Sequence, residues 1–253
     1  MFDNGFTHGD SLVHRFDPRF KIIAAAAFSI VIAVCSRWSA LIPGLFVSTA
    51  LVVIGRLPIK NVCMRLMVVN GFILFLWFFL PFSFKGMPLL TVGPFTATKE
   101  GVLYVTLLTL RSNIILLALI SLVATSSVFT LSRAMRELRV PDKIVQLFFF
   151  TYRYLHVIQL EYNRLVNTLK IRGFQPKTNI HTYKTYAYLV GMLLVKSYDR
   201  AERIRKAMLC RGFNGSFYNL SEFCVKRADI VMMCLMLMAV AVIALLQWTT
   251  TIY

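Results

Sequence analysis

The sequence predicts an all-α membrane protein with about five transmembrane helices and a cytosolic domain of two long crossed helices and one short amphipathic helix. Composition is the first reason, because 58% of the 253 residues are hydrophobic and the mean hydropathy is +0.68, values typical of a polytopic membrane protein. The second reason is charge, since most basic residues lie in one long segment between apolar runs. The third is a repeat, in which two long segments of helical periodicity end in the same Arg-Gly-Phe sequence.

The N-terminal leader is polar up to Lys21, and the apolar run behind it is long enough to cross a membrane. We therefore interpret that run as the first span rather than as a cleaved signal peptide. Asp17 can cap the helix that begins here, and Pro18 suits its first turn because it lacks an N–H that would stay unpaired. On this interpretation Arg19 and Lys21 add positive charge at the cytosolic end of the helix.

Five apolar stretches approach the ~20 residues that a helix needs to cross a bilayer. They fall at about residues 20–36, 39–55, 66–82, 101–127 and 228–249. Arg37 separates the first two stretches, and residues 55–60 separate the second from the third. A loop rich in Gly, Pro and Lys follows at residues 85–99 and is predicted to turn.

The distribution of Lys and Arg predicts the orientation of the chain, because positive charge accumulates in cytoplasmic loops. With the N-terminus in the cytosol, the cytosolic side holds all eighteen basic residues between 126 and 227 as well as six before residue 66. The opposite side holds only Arg37, Lys85 and Lys99. This asymmetry puts both Arg-Gly-Phe sequences in the cytosol and residues 249–253 outside.

Several function classes are excluded by what the predicted spans lack. All eleven acidic residues lie outside the spans or at their ends, whereas an ion-coupled transporter binds its ion at mid-membrane with a carboxylate or His. The scattered acidic residues also argue against a membrane-embedded enzyme. The four His have no ligand-set spacing, the five Cys form no CxxC pair, and a GxxxxGK[ST] phosphate loop is absent. Basic residues between apolar runs also argue against binding to nucleic acid.

Arg111 is the one basic residue inside a predicted span. At a helix centre it costs about 2.5 to 3.5 kcal/mol, which the many aliphatic and aromatic neighbours outweigh. Two interpretations stay open: Arg111 faces a partner helix or reaches the interface with a structural role, or it marks a functional position inside the membrane.

The segment between the fourth and fifth spans begins with a basic amphipathic stretch at residues 129–139. We expect a short helix on the membrane surface, with Arg133, Arg136 and Arg139 attracted to anionic lipid.

Two long helices are predicted after it. From Pro141 to Arg172 apolar residues recur at spacings of three, four and seven, which indicates one helix of about 32 residues. A second helix at about residues 180–211 repeats the pattern. Its small residues Gly191, Ser197 and Ala201 would let the two helices cross closely.

The ends of these helices form the repeat. Aligning Arg172 with Arg211 also matches further pairs: Arg164 with Arg203, Leu165 with Ile204, and Leu169 with Met208. In each copy the Arg precedes a capping Gly, Gly173 or Gly212.

The Arg at these helix ends has two interpretations. In one interpretation the cation only complements the helix dipole, for about 0.3 to 1 kcal/mol. In the other, each Arg and the exposed Phe that follows, Phe174 or Phe213, fill an acidic or carbonyl-lined groove of a partner. Two copies then imply a partner with two similar docking sites.

With these residues the chain resembles the transmembrane T component of energy-coupling factor (ECF) transporters, the ABC-type importers of vitamins and transition metals, and most closely the cobalt-type branch. The resemblance covers nearly the whole chain. The sequences that carry it are Asp17-Pro18-Arg19-x-Lys21, Tyr152-Arg153-Tyr154, Arg172-Gly173, and Ala207-Met208-Leu209-Cys210-Arg211-Gly212-Phe213-Asn214-Gly215. In the family the two coupling helices end in Ala-Arg-Gly or a looser x-Arg-x triplet. Ile171 and Cys210 stand here where that pattern has Ala.

The resemblance implies a scaffold subunit without catalytic activity. Two cytosolic ATPase subunits, which bind ATP and Mg²⁺, would each receive one helix end: Ile171-Arg172-Gly173 in one and Cys210-Arg211-Gly212 in the other. The helices would pass the movement of the ATPases to a separate substrate-binding membrane subunit, the S component, which holds the cargo. This chain would then bind no cofactor or metal itself.

The same resemblance implies a multi-pass protein of the prokaryotic inner (plasma) membrane with a cytoplasmic N-terminus. It divides the chain into residues 1–127 with the leader and four spans, 128–225 with the cytosolic coupling helices, and 226–253 with the last span. Cobalt is the expected cargo. The alternatives are a T component for nickel or a vitamin, and a conventional ABC permease, which would contact its ATPases through a single short loop per copy.

Overall fold

The computed structural model describes residues 11, 13, 16–83, 88–92, 95–215 and 227–249. Its elements in chain order are α1 (Pro18–Val34), α2 (Trp38–Ile54), α3 (Ile59–Ser83), β1 (Pro88–Val92), β2 (Phe95–Thr98), α4 (Lys99–Leu122), α5 (Val128–Glu137), α6 (Asp142–Ile171), α7 (Ile180–Cys210) and α8 (Arg227–Thr249). The predicted all-α membrane class is confirmed. The loop predicted to turn at 85–99 contains a feature that the sequence analysis missed, the antiparallel hairpin of β1 and β2.

Each of the five predicted spans falls on a helix. Within the described residues, three helices are long and apolar enough to cross a bilayer: Ile59–Ser83, Lys99–Leu122 and Arg227–Trp248. The other two apolar helices, α1 and α2, are 17 residues long, at the lower end of the range for a span. The third span was predicted to start at residue 66, but α3 begins at Ile59 because Arg65 does not interrupt the helix.

The chain separates into two compact units. Unit 1 contains Met1–Ala134 and Phe223–Tyr253, and unit 2 contains Met135–Glu222. The assignment of residues 128–225 to the cytosol stays a prediction.

The core of unit 1 forms around α4, which contacts α1, α2 and α3, while α8 packs on α1 and α2. Its centre contains the fully buried side chains of Phe28, Leu41, Ile114 and Ile243. Gly44 lets α2 approach α1 closely, since a Cβ there would lie 2.6 Å from the Ile32 Cδ1 atom.

Arg111 of α4 donates a hydrogen bond to the main-chain carbonyl of Cys35, the residue that caps the C-terminus of α1. A cation at a helix C-terminus is favourable because it complements the helix dipole. This contact supports the interpretation in which Arg111 faces a partner helix.

In the described part of the chain, two non-glycine residues lie in the left-handed backbone region. Arg56, after α2, has φ +47°, and Arg139, after α5, has φ +61°. In both turns the N–H of the Arg and the N–H of the next residue bond back to carbonyls of the last helical turn. These hydrogen bonds define the Schellman motif, in which glycine is the usual residue at the left-handed position.

Candidate functional site: the ends of two long helices

Unit 2 is built on α6 and α7, which contain 30 and 31 residues and are therefore about 45 Å long. Pro141 is the N-cap residue of α6, next to the predicted start of the helix. Asp142 is in the first turn, where the helix dipole favours a negative charge. Both helices begin and end within two residues of their predicted limits.

The C-terminus of α6 closes with a Schellman motif. Arg172 is the cap residue, and Gly173 follows with φ +80°. The Gly173 N–H donates to the Lys170 carbonyl at 3.0 Å, and the Phe174 N–H donates to the Leu169 carbonyl at 3.0 Å. These two bonds satisfy carbonyls that the end of the helix leaves without partners.

The C-terminus of α7 repeats this geometry. Arg211 is the cap residue, and Gly212 has φ +78°. The Gly212 N–H donates to the Leu209 carbonyl at 3.0 Å, and the Phe213 N–H donates to the Met208 carbonyl at 3.1 Å. The sequence repeat is therefore also a repeat of backbone conformation, hydrogen bond for hydrogen bond.

The arginines of both ends are exposed, and so are the residues that precede them. Ile171 exposes 87% of its surface. Such exposure is notable for a large aliphatic side chain that lies outside the predicted spans and so has no lipid to cover it. Within the described residues, neither the Arg172 nor the Arg211 guanidinium has a carboxylate or hydrogen-bond partner of its own. Each end thus presents a charge that is available to another molecule.

The phenylalanines differ from the prediction that they are exposed. Phe174 is half-buried and lies edge-on to the Tyr186 ring, with centroids 6.0 Å apart, and 6.2 Å from the His181 ring. Phe213 is also half-buried, and it lines a cavity together with Met208. The physical reason is the Schellman motif, whose residue after the glycine usually makes an apolar contact. The two rings hold the helix ends in place, and their supporting role in contacts with a partner stays a prediction.

A cavity of about 660 Å³ lies between α6 and α7. Its walls are mostly apolar, and the residues that line it are Phe150, Tyr154, Val157, Ile158, Glu161, Lys196, Ser197, Arg200, Ala201, Ile204, Arg205, Met208, Leu209, Phe213, Asn214 and Gly215. The close crossing expected at Ser197 and Ala201 stays a prediction, and both residues line this cavity opposite Phe150 and Tyr154 of α6. A Cβ atom added at Gly191 would have no neighbour within 4 Å. Gly191 therefore does not lie at a close contact between the two helices.

One ion pair joins α6 to α7 beside this cavity. The Lys196 ammonium donates a hydrogen bond to the Glu161 carboxylate. This hydrogen bond, together with the nearby charges of Lys196, Arg164 and Arg200, holds the pKa of Glu161 below its ordinary value, against the opposing effect of desolvation. The pair fixes the two helices to each other at about one third of the way along α6 from its C-terminus.

The N-terminal motif Asp17-Pro18-Arg19-x-Lys21 has the predicted cap. The Asp17 side chain accepts a hydrogen bond from the Arg19 N–H at 3.1 Å, and Pro18 is the first residue of α1. Lys21, however, was expected as a cytosolic surface charge and is only 1% exposed. Its burial is possible because a hydroxyl acceptor and two opposite charges lie around it.

Lys21 belongs to a group of buried polar residues in unit 1. The Lys21 Nζ donates to the Ser126 hydroxyl at 3.0 Å and interacts with the carboxylates of Asp17 and Asp229. The Asp17 N–H donates to Asp229 Oδ1 at 3.3 Å. We call Asp17, Lys21, Ser126 and Asp229 the charge cluster. Asp229 and Ser126 were missed from the sequence, where the only signal was an acidic residue in the first turn of α8.

Within the described residues, no group of three or more His, Cys, Asp or Glu side chains is placed to hold a metal ion. The fold and the site together define a class of membrane protein. It has apolar helices in one unit and, in the other, two long helices that each end in an exposed Arg with the same backbone geometry. Such ends suit contact with another protein rather than chemistry on a substrate.

Comparison with known proteins gives the family. The family described as cobalt transport protein, CbiQ, matches residues 9–221. The chain is also similar to the energy-coupling factor transporter transmembrane protein EcfT of Leuconostoc gelidum, with 27% identity over 219 residues that cover 82% of each chain. The EcfT protein of Bacillus subtilis is 23% identical over 227 residues, or 85% of each chain. The chain belongs to the CbiQ family, and the family that its motifs predict is confirmed.

Proposed function

We propose that this chain is the transmembrane scaffold subunit of an ECF-type ABC importer, and that it couples ATP hydrolysis by two partner ATPases to movement of a separate substrate-binding membrane subunit. The observation that carries the proposal is the pair of helix ends with one backbone geometry and one exposed Arg in each, for which the described part of the chain offers no partner. The family descriptions support a transport component, and the division of labour among the subunits is our inference.

The two ends fit a partner that presents two equivalent surfaces. A pair of related ATPase subunits arranged about a two-fold axis offers the same groove twice. Arg172 would enter one groove and Arg211 the other, where a planar guanidinium with five N–H donors can bind carboxylates or carbonyl oxygens. The glycine behind each Arg holds it at the tip of its helix.

The lengths of α6 and α7 suit the transmission of movement. A helix of 30 residues is about 45 Å long and is stiff because each residue hydrogen-bonds along the axis. When ATP closes the ATPase pair, the grooves would move with respect to each other and displace the two tips. The Glu161–Lys196 pair ties the helices together, so that a displaced tip would move the other helix too.

The cargo would be held by the substrate-binding subunit. We propose cobalt, following the family description, with nickel or a vitamin as alternatives. Uptake of Co²⁺ and Ni²⁺ by cells that express this chain with its neighbouring subunits distinguishes the two metals. Uptake of neither metal by an assembled complex would leave the vitamin alternative.

The proposed setting is the prokaryotic inner membrane, with the N-terminus and unit 2 in the cytoplasm. The excess of basic residues between 126 and 227 supports this orientation. A cytoplasmic unit 2 is required if the tips are to meet ATPases that use cytoplasmic ATP.

The decisive experiment reverses the charge of both tips. We expect the Arg172→Glu/Arg211→Glu double variant to insert normally but to lose co-purification of the ATPase subunits. The matched control is Arg164→Glu/Arg203→Glu, which changes the same residue type at equivalent exposed positions of the repeat, two turns before each end. Undiminished ATPase recovery with the tip variant, or equal loss with the control, would refute the proposal.

The single variants separate the proposal from a conventional ABC permease. If each tip serves one ATPase, Arg172→Glu and Arg211→Glu should each weaken the assembly, and the double variant should weaken it further. A permease that uses one coupling loop would lose its ATPases with one of the single variants and show no effect with the other.

A further inference from the structure

The charge cluster ties three helix ends of unit 1 together. Asp17 lies at the N-terminus of α1, Ser126 follows the C-terminus of α4, and Asp229 is in the first turn of α8. The Asp17 N–H bonds to Asp229 Oδ1, and Lys21 Nζ bonds to Ser126 Oγ. Elements that are more than a hundred residues apart in the chain are thus joined through α1.

The charges of this cluster are buried. Asp17 and Asp229 are each 6% exposed, and Lys21 is 1% exposed. Buried charges are tolerated when they are paired and hydrogen-bonded, and removal of one partner is costly. Both carboxylates also stand at helix N-termini, where the helix dipole favours negative charge. The arrangement is therefore held in place, because each charge is paired or hydrogen-bonded within the cluster.

The residues of the cluster lie on both sides of unit 2 in the sequence. Ser126 lies shortly before the point where unit 1 passes into unit 2, and Asp229 lies shortly after the chain returns to unit 1. The cluster thus connects to α1 the stretches of unit 1 that precede and follow unit 2 in the chain. Both stretches of chain that join unit 1 to unit 2 therefore include a residue of the cluster.

We propose that Asp17, Lys21, Ser126 and Asp229 are positioning residues, which hold the stretches of unit 1 before and after unit 2 to the first membrane helix. Displacement of α6 and α7 is then passed to α1, α4 and α8 together rather than absorbed by flexing of the two connections. This inference rests on the proposed function, since it assigns a mechanical role within that transport cycle.

The test compares ATP hydrolysis with cargo uptake in the intact complex. The complex is reconstituted in vesicles, and its uptake of Co²⁺, or of Ni²⁺ if the wild type prefers it, is measured together with its ATPase rate. The first variant is Asp229→Asn, which preserves shape and leaves Lys21 paired with Asp17. The second is Ser126→Ala, which removes the acceptor of Lys21 without changing any charge. The matched control is Glu100→Gln, an exposed carboxylate in the first turn of α4.

A coupling free energy between two sites typically corresponds to about 5- to 150-fold in effect. We accordingly expect Asp229→Asn to raise the ATP hydrolysed per ion transported by about tenfold, with assembly intact. A smaller rise is expected for Ser126→Ala and none for Glu100→Gln. A purely structural role would lower the yield of complex and leave this ratio unchanged in the complexes that form.

An unchanged ratio in Ser126→Ala and Asp229→Asn would overturn the inference, as would an equal rise in Glu100→Gln. If Asp229→Asn does not accumulate, Ser126→Ala decides the question, because Ser126 is only half-buried and its removal creates no unpaired charge. The failure of this inference can be distinguished from that of the proposed function, because the proposed function fails if the wild-type chain recovers no ATPase subunits.

Discussion

The charge cluster of unit 1 and the tips of unit 2 contain the same kinds of residue in opposite surroundings. Lys21 is buried among two carboxylates and a hydroxyl, whereas Arg172 and Arg211 are exposed, and the described residues offer them no partner. A buried charge has to be neutralised within the chain, so it contributes to the structure. An exposed charge on an ordered helix end can be neutralised by another molecule, so it is available for recognition.

The largest expected effect tests this difference directly. Lys21→Met should destabilise the protein by about 3 to 5 kcal/mol, because two buried carboxylates lose a cation with which they interact. The matched substitution Arg172→Met should change stability by only about 0.5 kcal/mol, because the residue is on the surface. Thermal unfolding in detergent measures both. Similar unfolding temperatures for the two variants would mean that the burial of Lys21 has no energetic role.

The second effect concerns the backbone of the tips. Gly173→Ala should destabilise by about 1 to 2 kcal/mol, because the left-handed conformation is unfavourable for a residue with a Cβ, and Gly212→Ala should match it. Gly191→Ala is the control, since this glycine lies inside α7 with open space around it. It should stabilise by about 0.5 to 1 kcal/mol. Thermal unfolding should therefore shift in opposite directions, and shifts of the same sign would contradict the assigned geometry.

The smallest effect is the pH dependence of the Glu161–Lys196 pair. The pKa of Glu161 is held low in the folded protein, mainly by the hydrogen bond from Lys196. Its stabilising contribution is therefore fully present above the unfolded pKa of about 4.3. It is lost as the pH falls through the lower folded value.

The measurement is thermal unfolding of the wild type and of Glu161→Gln between neutral and acidic pH. The wild type should lose more stability than the variant as the pH falls below about 4.3. Parallel curves would show that the pair adds nothing to the hold between α6 and α7.

Much of the helical architecture could be predicted because the signals for it are local. Asp17 and Pro18 start α1, Pro141 starts α6, and the glycines after Arg172 and Arg211 end the long helices. Each of these residues acts on backbone atoms a few positions away, so that the sequence alone contains the necessary information. The same holds for the repeat, because identical caps impose identical hydrogen bonds.

The remaining features depend on pairing across the chain. Nothing near Lys21 indicates that Asp229 will neutralise it, so its burial could not be predicted. The cavity between α6 and α7 depends on which faces oppose each other, and the small residues of α7 do not indicate that Phe150 and Tyr154 line the opposite wall. The pairing of β1 with β2 lay in a stretch whose composition indicated only turns.

The left-handed conformations of Arg56 and Arg139 have a practical consequence. The same type of turn has glycine, which adopts a left-handed backbone conformation without strain, at Gly173 and Gly212. At Arg56 and Arg139 a residue with a long cationic side chain has to adopt that conformation. Arg139→Gly should relieve backbone strain without altering a buried contact, since Arg139 is exposed and follows the short helix α5. If this raises the melting temperature in detergent, the variant would be a more robust starting material for crystals or for electron cryomicroscopy.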